Sequence, residues 1–215
     1  MKFNLTALAC AAGFCAVAGA ASAQVAVSGG ATLTTDYMVT GVTQTQGNPA
    51  FQPWVEVESM GFYAGIWASN VKFAESDDRT EVDLYVGYRG ETFGGFGYDV
   101  GYARYFYDRS GDIGGELVAT LTGTMADGFS LGTDLGYDTQ ARNMRASVLV
   151  GYETFQGVSL SGEFGRTEAY SANFWNVGAG YNLTDYLGVD VRYHDSTISA
   201  GRIVLSGTVT FDLAQ

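Results

Sequence analysis

The sequence is poor in lysine, proline, cysteine and histidine. Its 215 residues include two prolines (Pro49 and Pro53), two cysteines and one histidine, His194. Both cysteines, Cys10 and Cys15, fall in the first 23 residues, and after them a single lysine remains, Lys72. A chain body without cysteine has no disulfide framework and no thiolate nucleophile. With one histidine besides, it offers little for a transition-metal site. Residues 24–215 carry 10 basic against 23 acidic side chains, a balance of 10 − 23 = −13. That excludes the basic footprint that nucleic acid requires. No stretch after residue 23 approaches the ~18 continuous apolar residues of a transmembrane helix, so strands would have to cross any membrane.

The first 23 residues have a different character. "MKFN" supplies one positive charge, "LTALACAAGFCAVAGA" is an apolar core, and "ASA" ends the segment with small residues. This order predicts a secretory signal peptide over 1–23, cleaved before Gln24. The remaining 215 − 23 = 192 residues suit one domain, 24–215, with no linker to divide it.

What the chain does have is alternation. In "EVDLYVGY" (81–88), Val82, Leu84, Val86 and Tyr88 form one set and Glu81, Asp83, Tyr85 and Gly87 the other. The pattern recurs over twelve segments: 25–39, 50–60, 62–71, 79–90, 95–107, 115–125, 129–139, 143–155, 157–168, 172–183, 186–196 and 201–213. Glycine, tyrosine, valine and threonine are frequent, as strands and tight turns demand. Links such as "MG" (60–61), "GETFGG" (90–95), "ADG" (126–128), "QG" (156–157) and "TD" (184–185) are short or turn-like. The intervening links, such as "GVTQTQGNP", "KFAESDD" and "DRSGDIG", are longer or more polar. The two kinds alternate along the chain. Together these signals predict an all-β fold, an antiparallel up-and-down transmembrane barrel of about twelve strands with short periplasmic turns.

The apolar sets would then face lipid. They include Phe129, Leu131, Leu135 and Tyr137, then Met144, Ala146, Val148, Val150 and Tyr152, and Ile203, Leu205, Val209, Phe211 and Leu213. Aromatic residues at the ends of these sets fit an interfacial girdle. The charges occupy the other parity: Asp36, Glu56, Glu58, Glu81, Asp83, Asp99, Glu116, Asp134, Asp138, Glu153, Glu163, Asp190 and Asp212, with Arg89, Arg145, Arg192 and Arg202. Alternation alone also fits a soluble sandwich with the faces reversed. One lysine is few for a solvated surface, and glycines interleaved with the charges (Gly87, Gly101, Gly136, Gly151, Gly165, Gly178) suit a crowded lumen. In "FGYDVGYARYFY" the lipid parity carries Arg104 outward, which calls for an interfacial position or a bulge.

Three stretches carry a resemblance: "TLTTDYMVTGVTQTQGNPAFQ" (32–52), "GFYAGIWASNV" (61–71) and "EVDLYVGYRG" (81–90). Over 32–90 the chain resembles the TorF family of small proteobacterial outer-membrane proteins. Thr35-Asp36-Tyr37, Gly41, Thr43-Gln44-Thr45 and Pro49-Ala50 stand where that family has its typical run, with Thr40 in place of its arginine and Thr43 in place of its serine. The resemblance implies an outer-membrane barrel and a pore.

The lumen charges are the functional candidates. Barrels of eight strands fill with side chains and those of sixteen hold a water channel. Twelve strands predict a narrow pore for passive diffusion of small hydrophilic solutes or ions, biased to cations by its acids. The alternative is a barrel plugged by its own ion pairs, with a binding or structural role. A lipid-modifying enzyme is the third reading: His194 and Ser196 lie two apart on one strand, as in outer-membrane phospholipases, and Asn182 is a neighbouring-strand candidate. His194 shares the lumen parity of Asp190 and Arg192, whereas such a site faces lipid, so no catalytic residue is expected. Neither a cofactor nor a metal is expected. The expected partners are outer-membrane lipid and lipopolysaccharide, the barrel-insertion machinery and the solutes themselves; the terminal aromatic that this machinery reads in many such barrels is displaced here, Phe211 standing four residues short of the end of "TFDLAQ".

Overall fold

A computed structural model describes residues 25–92, 94–125 and 128–214. The expected signal segment lies outside them. Twelve long strands run in chain order: β1 (Ala26–Thr34), β4 (Ala50–Ser59), β5 (Phe62–Asn70), β6 (Thr80–Glu91), β7 (Phe96–Tyr107), β8 (Gly111–Thr124), β9 (Phe129–Asp138), β10 (Met144–Glu153), β11 (Val158–Thr167), β12 (Ala172–Asn182), β13 (Leu187–Ser196) and β14 (Ser199–Ala214). Two short ones, β2 (Met38–Val39) and β3 (Val42–Thr43), lie in the first long link. Each long strand pairs antiparallel with its neighbour in sequence, and β1 closes the ring by pairing with both β4 and β14. Closure leaves no strand edge of the barrel unpaired, which removes the usual route to edge-to-edge aggregation. The fold expectation is met in strand number, direction and connectivity.

The faces also fall as the alternation dictates. Leu84, Val148 and Leu205 are exposed on the outside, with Leu33, Phe62, Val86, Leu131, Val191 and Ile203. Glu56, Glu81, Asp83, Glu116, Asp134 and Arg145 are enclosed on the inside. A soluble sandwich would have the opposite polarity. Aromatic pairs stand on the outer wall near the short turns, with Phe62 against Tyr88 at 4.6 Å and Phe129 against Tyr152 at 4.6 Å.

The turns explain themselves locally. Met60 and Gly61 both have positive φ (53° and 83°), the two-residue turn whose twist suits a hairpin. The longer links are fewer than the sequence suggests. β8 already begins at Gly111 and β14 at Ser199, so "DRSGDIG" and "STISAG" are mostly strand. Only 35–49 and 71–79 are long links at that rim.

The segment 25–39, expected as one strand, ends at Thr34. The chain then folds inward as the small hairpin β2–β3, turning at Thr40 and Gly41, both at positive φ. A side chain at Gly41 would collide with the Asp195 carbonyl and Ser196, so glycine is what lets this turn touch β13. Tyr37 from the same segment is buried against Trp67, edge-on, at 5.6 Å. Tyr37, Tyr63, Trp67, Tyr85, Ala103 and Tyr105 form one enclosed cluster inside the β4–β8 half of the barrel.

Candidate functional site

The inner wall gathers most of the sequence-predicted charges into four groups. At the short-turn end, Arg89 of β6 reaches Glu56 at 2.6 Å, Glu58 at 3.5 Å and Asp99 at 3.9 Å. Its guanidinium also lies over the Tyr63 ring at 4.0 Å, and the Tyr63 hydroxyl donates to Asp99 at 2.5 Å. One cation thus holds three acids from two strands, with an aromatic face behind it.

A second group spans β8, β9 and β10. Arg145, almost without exposed surface, bonds Asp134 and lies 3.9 Å from Glu116. Thr120 donates to Asp134 at 3.0 Å and Tyr105 to Glu116 at 3.2 Å. Gly136, between these side chains, makes the room: a Cβ there would meet both Glu116 and Arg145.

The third group lies on β11–β13. Arg192 reaches Asp190 at 3.0 Å, Asn176 at 2.7 Å and Ser161 at 2.7 Å. Asn176 in turn donates to Glu163 at 2.9 Å. The fourth ties the inward hairpin to the wall. Asp36 accepts from Thr43 at 2.5 Å and Thr45 at 2.8 Å, and Arg202 of β14 lies 3.5 Å from it.

Glu81 and Asp83 sit apart from these arginines, on β6, where Asp83 has Trp67 and Tyr105 as cross-strand partners. The Tyr37 hydroxyl donates to Glu81 at 3.2 Å. Two candidates end at the rims. Asp138 turns its carboxylate to the amides of Gln140 (2.9 Å) and Ala141 (2.7 Å), shaping the link after β9. Glu153 is exposed at the last residue of β10.

Sequence reasoning missed the aromatic share of the interior. Tyr63 and Trp67 have the inward parity of Ser69 in "GFYAGIWASNV", and that parity was available to find them. Asn176 and Ser161, which complete the Arg192 network, carry no comparable signal.

Arg104 faces outward, as its parity requires. It is satisfied there by Asp112 at 2.5 Å and the Tyr102 hydroxyl at 3.1 Å. The register slips between Tyr105 and Phe106, which sets Asp112 beside it.

The hydrolase geometry is not assembled. His194 lies near the long-link end of β13, opposite Asn176 and Arg202. Asn182 pairs with Gly188 at the other end of the same strand, six residues or ~20 Å away. Ser196 directs its hydroxyl to the Gly41 carbonyl at 3.4 Å. Among the described residues no group of three or more His, Cys, Asp or Glu is placed to hold a metal ion. Among the described residues no helix is long and apolar enough to cross a membrane, which says nothing of strands.

Comparison with solved structures gives the fold a context. A KdgM porin in complex with disordered oligogalacturonate superposes with a TM-score of 0.65 at 10% identity, covering 86% of this chain and 99% of the porin. The NanC porin gives 0.55 at 12%, covering 88% and 100%. The Salmonella typhi outer membrane phospholipase dimer with bound calcium gives 0.50 at 10%, covering 93% and 95%. At such identities the likeness is one of fold. No curated protein matches the sequence. A family model does, across residues 17–204, and on that span the chain belongs to the family described as bacterial protein of unknown function, Gcw_chp.

Proposed function

We propose that this protein is an outer-membrane channel for passive diffusion of small hydrophilic solutes, favouring cations, and that it is exported by a signal peptide cleaved after Ala23. The observation that carries this reading is the polarity of the wall. Apolar side chains such as Leu84, Val148 and Leu205 are exposed outside while Glu56, Glu81, Asp83 and Asp134 are enclosed within. Charge enclosed by an apolar cylinder is stable only if paired or wet; the inner arginines pair part of it, and part-exposed groups such as Asp190 and Arg192 are the ones a water path would wet. The four inner arginines each already face at least one acid, so further acids such as Glu81 and Asp83 set the sign of the lumen. The fold shared with the KdgM and NanC porins supports a channel, and the TorF resemblance agrees with it. Oligogalacturonate, the ligand of the KdgM complex, is a polyanion, and an acidic lumen does not suit it. Nor does Asn182, set at the other end of β12 from His194 and Ser196, favour an enzyme.

A second reading, a non-conducting barrel with a binding role, is favoured by one feature: the hairpin at 38–43 and Tyr37 fold into the interior and pack on Trp67. Planar bilayers separate the two. A channel gives discrete conductance steps, and a reversal potential in a salt gradient that reports cation preference. Glu81→Gln with Asp83→Asn lowers that preference. Silence of the purified, folded barrel across the bilayer refutes conduction.

A further inference from the structure

The link 35–49 leaves the wall and is fastened on two sides of the barrel mouth. On one side the Tyr37 ring packs edge-on against Trp67 of β5 at 5.6 Å. There the Gln44 carbonyl also accepts the amide of Lys72, in the link after β5, at 2.8 Å. On the other side Gly41, at the tip, lies against the Asp195 carbonyl and Ser196 of β13. The Ser196 hydroxyl donates to the Gly41 carbonyl at 3.4 Å. In the ring of strands β14, β1 and β4 stand between β13 and β5. The hairpin β2–β3 therefore crosses the mouth as a chord in front of three strands. It is also tied within itself. The Tyr37 amide donates to the Thr45 hydroxyl at 3.2 Å, and the Gln44 amide to the Tyr37 carbonyl at 2.7 Å. Asp36 joins both arms by accepting from Thr43 and Thr45, and Arg202 of β14 holds Asp36 from the wall.

Two paired strands stand ~4.8 Å apart before side chains are added, so such a hairpin takes a large share of a twelve-stranded interior. Its chemistry is neutral. From Tyr37 to Pro49, "YMVTGVTQTQGNP", there is no charged side chain. An uncharged obstacle excludes by size, whereas the sign of a permeant ion is set by rings of charge. From this geometry we infer that the hairpin β2–β3 is the constriction of the channel: it sets the size limit of the solute, and the charged wall sets its sign. The inference rests on the channel reading and adds to it the element that selects by size.

The test replaces residues 38–43 by two glycines, so that Tyr37 and Gln44, already hydrogen-bonded, are joined by a two-residue turn. Heat-dependent gel mobility establishes that the shortened barrel is folded. Swelling of liposomes in neutral sugars of increasing mass reads the size limit, and planar bilayers read unit conductance and the reversal potential in a potassium chloride gradient. The shortened barrel is expected to admit larger sugars and at least to double the unit conductance, with the reversal potential of the wild type. Should it fail to fold, Gly41→Val, which forces the tip away from Asp195 and Ser196, is expected to raise conductance in the same direction. A wild type that conducts, beside a folded variant of equal conductance and size limit, overturns the constriction and leaves the channel standing. A reversal potential that collapses on shortening gives the sign to the hairpin and overturns the inference as well. Silence of both forms refutes channel and constriction together. A silent wild type beside a conducting shortened barrel refutes passive conduction and leaves the hairpin as the seal.

Discussion

Asp78 and Asp108 each hold the other's link in place. Oδ1 of Asp78 accepts the backbone N–H groups of Arg109 (3.1 Å) and Ser110 (2.9 Å). Oδ1 of Asp108 accepts those of Arg79 (2.7 Å) and Thr80 (3.1 Å). The Ser110 hydroxyl above all holds Asp78 low, at about 2, and the amides of Arg79 and Thr80 lower Asp108. Both folded values lie below the unfolded ~3.9, so the clasp stabilises above about pH 4 and is lost as pH falls through the lowered values. Amide hydrogen exchange at residues 79, 80, 109 and 110 is therefore slow at pH 5 and, corrected for intrinsic rates, fast towards pH 2. In Asp78→Asn the amides of Arg109 and Ser110 exchange quickly at both. Protection that persists unchanged at pH 2 contradicts the clasp.

Arg145 is the second test, because it is almost fully buried between Asp134 and Glu116. Arg145→Met leaves two carboxylates enclosed without their cation. Breaking a buried pair in this way costs about 3–5 kcal/mol. Urea titration of the barrel refolded in bilayers measures it. A triple variant with Glu116→Gln and Asp134→Asn recovers most of the loss, since no charge then remains to compensate. Equal stability of wild type and Arg145→Met contradicts the enclosure.

The barrel was legible from the sequence because its pattern is repeated. Each strand restates the same inside–outside alternation, so an error in one is corrected by its neighbours, as with "EVDLYVGY" beside "GFYAGIWASNV". The inward hairpin was not legible. Met38 and Val39 read as the end of the first strand and Val42 and Thr43 as part of the link after it, and only closure of the barrel excludes the first two from the wall. The ion-pair partners were legible as a face and not as pairs. Parity places Arg89, Glu56 and Asp99 on one side, but which acid an arginine reaches depends on register between strands, and one sequence does not state that. Arg104 is a case where the parity was right and its satisfaction, by Asp112 across a bulge, came from the register slip.

Gly87 tests the crowding of the lumen. A Cβ at Gly87 would run into the ring and hydroxyl of Tyr63, and Gly101 stands under the same hydroxyl. The ring is held there by Asp99 and Arg89. Overpacking of this kind costs about 1–3 kcal/mol. Gly87→Ala is expected to lose that much in a urea titration, and Gly87→Ala with Tyr63→Phe to recover only the part due to the hydroxyl. Gly207, where an added Cβ meets nothing within 4 Å, is the control, and Gly207→Ala is near neutral.

Arg104 and Val148 together locate the apolar band. Both face outward, Arg104 three residues from the end of β7 and Val148 in the middle of β10. An arginine on a lipid-facing wall costs ~2–4 kcal/mol at the midplane and ~0–1 near the interface. Val148→Arg is therefore expected to destabilise the barrel by about 2–4 kcal/mol when folded into phospholipid vesicles. Arg104→Leu changes stability by about 1 kcal/mol or less, since the lost arginine sat near the interface and Asp112, its partner, is half-exposed. The difference between the two variants is the quantity that matters, because it cancels what is common to refolding in lipid. If the two shifts are equal in size, the outer wall is not immersed at the depth that its side chains imply, and the membrane reading fails with it.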